Sequence, residues 1–207
     1  MGKYIGPKNK ISRRFGINLG LKSNASKLTR RLSQPPGVHG PKKRRVSTSS
    51  FGKQLLEKQK VKYIYGIREK QFRGYVKEAN RQEGDSGINL QRLLELRMDN
   101  IIYRLGIAST RSQARQFVSH NMFKVNNKKM NIPSHILGVG DQISIRENKQ
   151  KKQIFEGLEE KLSNVDTPSW LSVDFTKKIG KVLNLPTDKD FDKIFDVRLI
   201  IEYYSAR

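Results

Sequence analysis

The sequence predicts an α+β protein with three parts: an extended basic N-terminal arm, a small helical domain, and a domain of two helices followed by a small sheet. Apolar residues recur at helical spacing through the middle of the chain. Two short stretches beyond them alternate apolar and polar residues, as strands do. The N-terminal segment has few apolar positions between its Gly and Pro turns, so it can bury little.

Residues 1–45 are expected to form the arm, and their charge indicates what they bind. The first 56 residues contain 14 Lys and Arg and no Asp or Glu, and the whole chain carries a net charge of +23. So long a stretch of one sign repels itself and is expected to become ordered against dense negative charge. The basic residues are interleaved with Gly, Pro, Ser and Asn and form no amphipathic stripe, so the pattern favours a nucleic acid over a membrane surface.

Residues 46–92 are expected to form the helical domain, which the segment 190–207 completes. Serines near its start offer an N-cap to a helix over about 50–65, and Gly66 suits the C-terminus of that helix. A second helix is predicted over 67–81, where apolar residues are three and four positions apart. Both helices carry more basic than acidic residues.

Residues 93–152 are expected to form the second domain, which begins with two helices. An apolar stripe predicts a helix over 90–105. A capping box opens another helix over about 111–120, because the Thr110 hydroxyl can accept from the third backbone N–H and the Gln113 side chain can reach back.

The sheet of this domain follows its helices. Phe123-Lys124-Val125 alternates as a strand, Asn126-Asn127 suits a tight turn, and residues 142–145 alternate again. Residues 153–189 are expected to be an extension that packs on this domain. The elements predicted within it are a helix over 154–162 and strands over 170–174 and 180–183.

The order of these elements and the residues within them resemble a known family. The stretches concerned are YIGPKNKISRRFG, LSQPPGVHGPKKRR, LLEKQKVKYIYGIREKQFRGY, LELRMDNIIYRLGIASTRSQARQFVSHNMFKVNNKKMNIP, GVGDQISIRE and LIIEYYSAR. Over nearly the whole chain they closely resemble the bacterial-type fourth protein of the small ribosomal subunit, the S-four family. The run 97–133 is specific for the RNA-binding module named after this family, and the Pro-Pro-Gly-x-His-Gly turn at 35–40 selects the ribosomal protein among proteins that contain the module.

The resemblance implies a structural protein of the small ribosomal subunit that binds ribosomal RNA at a multi-helix junction of the 5′ region and nucleates assembly there. It also implies contacts with neighbouring small-subunit proteins, a position near the path by which mRNA enters, and an effect on translational accuracy; some bacterial members repress their own operon. The expected location is the cytoplasmic ribosome, with an organellar ribosome as the alternative. Many relatives bind zinc through four cysteines of the arm, whereas this chain has no Cys, so no metal and no cofactor are expected.

Arg111 and Arg115 are the leading candidate RNA contacts, together with Ser109, Thr110 and Ser112 at the same helix start. The site would combine a helix N-terminus, hydroxyl groups and two guanidinium groups one turn apart, all of which suit a phosphate. The alternative, from spacing alone, is an ordinary capped helix with a solvated basic face. The match to the family's module favours RNA binding.

The other candidate contacts are basic residues along the chain. Arg97 and Arg104 are seven residues apart and would share one helix face, although Asp99 is as well placed to hold one of them in a structural ion pair. Lysines that flank the predicted hairpin could reach a phosphate backbone, the alternative being solvated turn residues. The remaining candidates are Arg13, Arg14, Arg30, Arg31, Lys42, Lys43, Arg44, Arg45, Lys53, Lys58, Arg68, Arg73, Lys124, Lys128 and Lys129.

Catalytic motifs are absent from the sequence: the chain has no P-loop, no GxSxG and no HExxH, and its three His are scattered. It has no apolar run of about 18 residues, and its first residues lack the apolar middle of a signal peptide. We therefore expect a soluble RNA-binding protein that is not an enzyme and has no membrane or small-molecule partner. One alternative is an RNA-modifying enzyme that grips RNA with the same module, as pseudouridine synthases do, but this would need a catalytic domain outside 93–152. The other is a generic polyanion binder, against which the patterned module argues for shape recognition.

Overall fold

A computed structural model describes residues 4–22, 24, 26–40, 48–157, 166–174 and 178–205. The chain divides into two compact units, one built from Met1–Leu90 with Asp192–Arg207 and one from Gln91–Phe191. The helices, in chain order, are α1 (Lys8–Phe15), α2 (Ser26–Thr29), α3 (Ser50–Tyr65), α4 (Glu69–Arg81), α5 (Ser86–Glu95), α6 (Met98–Arg104), α7 (Arg111–Ser119), α8 (Glu147–Gln150) and α9 (Val197–Ser205). The strands are β1 (Phe123–Val125), β2 (Lys128–Met130), β3 (Gln142–Ile145), β4 (Leu171–Asp174) and β5 (Ile179–Val182).

The first unit is more ordered near its N-terminus than the sequence indicated. Residues 8–15 form α1 rather than an extended arm, and a left-handed Gly16 with φ 69° ends this helix. Ile11, Leu19 and Leu28 are buried. Burial of these three apolar side chains favours the folded segment and opposes the repulsion among the basic residues around them.

The predicted pair of helices in the first unit is present as α3 and α4. The Ser49 hydroxyl accepts a hydrogen bond from the Gly52 N–H (3.2 Å) and caps α3. α4 buries Phe72 completely, on the apolar face that the spacing predicted. The C-terminal helix α9 packs along α3, where the rings of Phe51 and Tyr203 stack with 5.6 Å between their centroids.

Glu69 joins three helices of the first unit. Its carboxylate accepts hydrogen bonds from Lys58 (3.1 Å) and Lys62 (2.6 Å) of α3 and from the Tyr204 hydroxyl (2.6 Å) of α9. Burial opposes the ionisation of Glu69, but hydrogen bonds from Lys62, Tyr204 and Lys58 outweigh it and lower its pKa to about 2. Lys58 also lies 4.2 Å from the centroid of the Tyr203 ring. With 6% of its side chain exposed, Lys58 has a structural role first, and an RNA contact by this residue remains a prediction.

The single helix predicted over 90–105 is also wrong, because the structure has α5 and α6 with a break between them. A loop of the second unit pairs with the backbone at this break. The Leu96 carbonyl accepts from the Leu137 N–H (2.9 Å), and the Met98 N–H donates to the His135 carbonyl (2.8 Å). Since these tertiary hydrogen bonds replace helical ones, the apolar stripe continues across the break while the helix does not.

α7 begins with the predicted capping box in a shifted form. The Thr110 hydroxyl accepts from the Gln113 N–H (3.2 Å), while the Gln113 side chain accepts from the N–H of Ser109 (2.9 Å), one residue before the N-cap. Asn121, with φ 54°, lies just beyond the end of the helix. The buried face of α7 includes Phe117 and packs into the core of the second unit.

Among the described residues, the sheet of the second unit has five antiparallel strands in the order β2-β1-β3-β5-β4. Asn126 and Asn127, at φ 47° and 64°, form the predicted turn between β1 and β2. The apolar face of the sheet joins α6 and α7 in one core. The strands predicted at 123–125, 142–145, 170–174 and 180–183 are confirmed to within one residue at each end. The mixed α+β class is therefore confirmed.

The helix predicted over 154–162 is replaced, as far as the chain is described, by a short 3-10 turn at Gln153–Phe155. Residues 158–162 of that prediction lie outside the described residues. Across the described ranges, the helices are all too short or too polar to cross a membrane.

Candidate RNA-binding surface

Arg111 and Arg115 lie one turn apart at the start of α7, and residues of α6 hold both. The Arg111 Nε donates to Asn100 Oδ1 (2.7 Å), and its guanidinium lies over the Tyr103 ring, 4.5 Å from the centroid. A guanidinium nitrogen of Arg115 lies 3.5 Å from an Asp99 carboxylate oxygen, and 20% of the Arg115 side chain is exposed. Both arginines are thus partly exposed and oriented, which suits the fixed geometry of phosphate oxygens.

Two buried carboxylates organise the basic residues of this region. Glu95 is 1% exposed and accepts from Arg104 through both of its oxygens, at 2.9 Å each. Asp99 accepts from Arg97 through both oxygens, at 3.0 and 2.7 Å. A buried carboxylate remains ionised only where a charged partner and hydrogen bonds compensate its lost hydration, so these arginines serve folding first.

Arg97 and Arg104 do not present their side chains on one exposed face as expected, because each guanidinium pairs with a different buried carboxylate. RNA contacts by the two residues remain predictions. Arg97 is the N-cap of α6, at the break that follows α5, and its side chain is 0% exposed. Arg104 ends α6, with its guanidinium bound to Glu95. The alternative in which Asp99 holds an arginine is confirmed for Arg97.

The hydroxyl groups around the start of α7 have different surroundings. The Thr110 oxygen caps the helix, so its first role is structural. Ser109 is exposed and Ser112 is partly exposed. RNA contacts by Ser109 and Ser112 remain predictions.

The hairpin carries its basic residues as exposed or partly exposed lysines. Lys128 and Lys129 of β2 are exposed, whereas Lys124 of β1 forms an ion pair with Glu147 (3.0 Å). The strand register places Lys124, Lys129 and Lys181 on the same outer face of the sheet. Lys181 was not among the candidates predicted from the sequence. The alternation of apolar and polar residues in its strand could have indicated that its side chain faces outward.

The basic residues of the first unit lie mainly on its surface. Lys58 and Lys60 are buried. Arg13 is partly buried, and its guanidinium donates to the carbonyls of Gln34 (3.0 Å) and Pro35 (3.1 Å) and so holds the Pro-Pro-Gly turn against α1. The exposed candidates are Arg14, Arg30, Arg31, Lys53, Arg68 and Arg73. The candidates Lys42, Lys43, Arg44 and Arg45 lie outside the described residues.

Known proteins resemble this chain along its whole length. Residues 3–95 match the family model described as Ribosomal protein S4/S9 N-terminal domain, and residues 96–143 match the S4 domain. The small ribosomal subunit protein uS4 of Herpetosiphon aurantiacus is 47% identical over 99% of this chain and 100% of its own length. The uS4 proteins of Caldicellulosiruptor saccharolyticus and Shewanella violacea are 44% and 45% identical with the same coverage. The chain belongs to the uS4 family of small ribosomal subunit proteins.

Membership of the uS4 family confirms the resemblance seen in the sequence. The boundary between the two family models, at 95/96, coincides with the break between α5 and α6. The arginines of α7 and the hairpin belong to the RNA-binding S4 domain. The relatives are named as ribosomal proteins and not as enzymes, which agrees with the expectation that the protein is not an enzyme.

The described residues include no cluster of side chains suited to bind a metal ion. Among those residues, no three or more His, Cys, Asp or Glu side chains are grouped so that they could hold a metal ion. The four-cysteine pattern of zinc-binding relatives has no counterpart, since the sequence contains no Cys.

Proposed function

We propose that this uS4 family member recognises the shape of a multi-helix junction in the 5′ region of small-subunit ribosomal RNA. The observation that carries the proposal is the arginine pair of α7, held by Asn100 and Asp99 at a capped helix start. Guanidinium groups fixed in this way form charge-assisted hydrogen bonds with phosphates at positions that the fold sets. A folded RNA whose phosphates match those positions therefore binds best.

The distribution of charge supports tight binding to phosphate. The net charge is +23, and the residues before Glu57 include no acid. Arg14, Arg30 and Arg31 of this segment are exposed. Long-range attraction by such residues speeds encounter with any polyanion, while the fixed arginines of α7 select among RNA folds.

The protein binds this junction early and nucleates assembly of the region around it. The second unit has its own buried core, so its arginines take their positions without help from another protein. The resemblance to the S-four family supports three further roles: contact with neighbouring small-subunit proteins, a place near the path by which mRNA enters, and an effect on translational accuracy. The compared relatives come from bacteria, which favours the cytoplasmic ribosome over an organellar one.

The test is binding of the purified chain to the 5′ part of small-subunit ribosomal RNA, compared with an unrelated structured RNA of equal length across a salt series. Both RNAs should bind more weakly as salt rises, since each phosphate contact contributes a slope of roughly −0.7 to −0.9 in log K against log salt. Shape recognition predicts that the ribosomal fragment keeps a preference of about 100-fold, or roughly 3 kcal/mol, at high salt.

Two outcomes separate the parts of this proposal. If the affinities for the two RNAs were equal at every salt concentration, shape recognition would be refuted and the protein would be a generic polyanion binder. A preference that appears only after another ribosomal protein is added would leave shape recognition standing and remove the nucleating role.

A further inference from the structure

Arg111 is held from two sides by residues that the sequence did not single out. Its Nε donates to Asn100 Oδ1 at 2.7 Å, and the face of its guanidinium lies 4.5 Å from the centroid of the Tyr103 ring. We propose that Asn100 and Tyr103 are positioning residues that orient Arg111 toward an RNA phosphate. The proposal rests on the proposed function, because it assigns the means by which one RNA contact is prepared.

Hydrogen bonds to Glu95 fix the orientation of the Asn100 amide. Its Nδ2 donates to both the backbone carbonyl and the Oε2 of Glu95, each at 2.9 Å. These two acceptors use both N–H groups of the amide, so the opposite end, Oδ1, must face the Nε of Arg111. Asn100 is 1% exposed, so water does not compete for these bonds.

Glu95 is itself anchored, which makes the support continuous. Both of its oxygens accept from Arg104 at 2.9 Å, and it is 1% exposed. A chain of hydrogen bonds therefore runs from Arg104 through Glu95 and Asn100 to Arg111, across α5, α6 and α7. The positions of these groups are determined by the core of the second unit rather than by solvent.

The identity of Asn100 matters as much as its position. An amide oxygen orients a guanidinium without adding a negative charge beside it, unlike the carboxylate of Glu95 against Arg104. The Tyr103 ring restrains the guanidinium plane by a cation–π contact and likewise adds no formal charge. Both contacts order the Arg111 side chain before RNA arrives, so less rotamer freedom is lost on binding.

A double-mutant cycle measures whether Asn100 acts through Arg111. Asn100→Ala, Arg111→Ala and the double variant are titrated with the 5′ ribosomal RNA fragment at one salt concentration. Asn100→Ala should weaken binding about fivefold to tenfold in the presence of Arg111 and less than about twofold in the Arg111→Ala protein. Equal losses in both backgrounds would overturn the positioning role, since they would show a structural effect unrelated to Arg111.

Tyr103 provides a second measurement that does not disturb the buried amide. Tyr103→Phe keeps the ring and should bind RNA within about twofold of the unchanged protein, whereas Tyr103→Leu should lose about as much affinity as Asn100→Ala. Gln116→Ala, an exposed position on α7, is the matched control and should change nothing. Equal affinity of the Leu and Phe variants would remove Tyr103 from the proposal, and this pair decides the question if Asn100→Ala fails to fold.

The two proposals fail in different ways. If Arg111→Ala binds the fragment as tightly as the unchanged protein, Arg111 is not an RNA contact and the α7 site of the proposed function is wrong. If Arg111→Ala weakens binding while the Asn100 and Tyr103 variants do not, RNA binding at α7 stands and the positioning role is refuted.

Discussion

Asp99→Ala is expected to destabilise the second unit by about 3 to 5 kcal/mol, because it removes one partner of a buried ion pair. Arg97 and Asp99 have side chains that are 0% and 5% exposed and share hydrogen bonds of 3.0 and 2.7 Å. The matched control is Glu147→Ala, whose carboxylate pairs with Lys124 at 3.0 Å but is 85% exposed. Loss of an exposed pair of this kind changes stability by about 1 kcal/mol or less.

Urea denaturation followed by tryptophan fluorescence isolates the unit concerned. Trp170 is the one Trp of the chain, is buried and belongs to the second unit. With a slope of roughly 1 to 3 kcal/mol per molar urea, the expected loss moves the midpoint by about 1 M or more. If the midpoint shift of Asp99→Ala is no larger than that of Glu147→Ala, the structural role assigned to the Arg97–Asp99 pair is refuted.

Three further changes test RNA affinity, acid stability and core packing. Replacing Arg111 and Arg115 together by Ala should weaken binding to the 5′ ribosomal RNA fragment by about 2 to 4 kcal/mol, and unchanged affinity in a filter-binding titration would exclude both as contacts. Folding lowers the pKa of Glu69 from 4.5 to about 2, so its contribution is complete above the unfolded pKa and is lost as the pH falls from about 4.5 to 2. Because 46% of the Glu69 side chain is exposed, solvent screening limits this contribution to about 1 kcal/mol. Between about pH 5 and 2.5, Glu69→Gln should therefore lose less stability than the unchanged protein, by about that amount, in urea titrations followed by circular dichroism. Gly180→Ala would place its Cβ 2.5 Å from a Leu105 methyl carbon, so overpacking should cost about 1 to 3 kcal/mol, and an unchanged Trp170 unfolding midpoint would contradict this.

Local signals explain the elements that were predicted well. The cap at Thr110, the Asn126-Asn127 turn and the alternation of 142–145 depend on residues close in sequence, and the structure places each where it was expected. The apolar spacing of α4 is local in the same sense, so Phe72 faces the core as predicted.

The errors come from contacts between residues far apart in sequence. The break between α5 and α6 depends on hydrogen bonds to the loop that contains His135 and Leu137. The sequence predicts Lys58 to be a basic surface residue of α3, but in the structure it contacts Glu69 of α4 and Tyr203 of α9 and is buried. The spacing of residues within one helix does not predict such partners, because they belong to other elements that come into contact only when the chain folds.

The candidate site also has a part that the sequence predicts and a part that only the structure shows. The pairing of Arg111 with Arg115 on one side of α7 follows from helical periodicity, and the sequence alone was sufficient to propose it. The supporting residues Asn100 and Tyr103 gave no signal, because their role depends on the packing of α6 against α7.

By itself, the sequence determined the family, the α+β class, the dense positive charge of the N-terminal segment and the capped helix that carries the arginine pair, because composition, periodicity and capping are properties of neighbouring residues. Only the tertiary structure decided which of the described basic side chains pair with buried carboxylates and which lie on the surface. A guanidinium or ammonium group is the same in any sequence, and its role depends on whether folding places a carboxylate against it and removes water from both. Arg97, beside the buried Asp99, and Arg14, on the surface, show the two results.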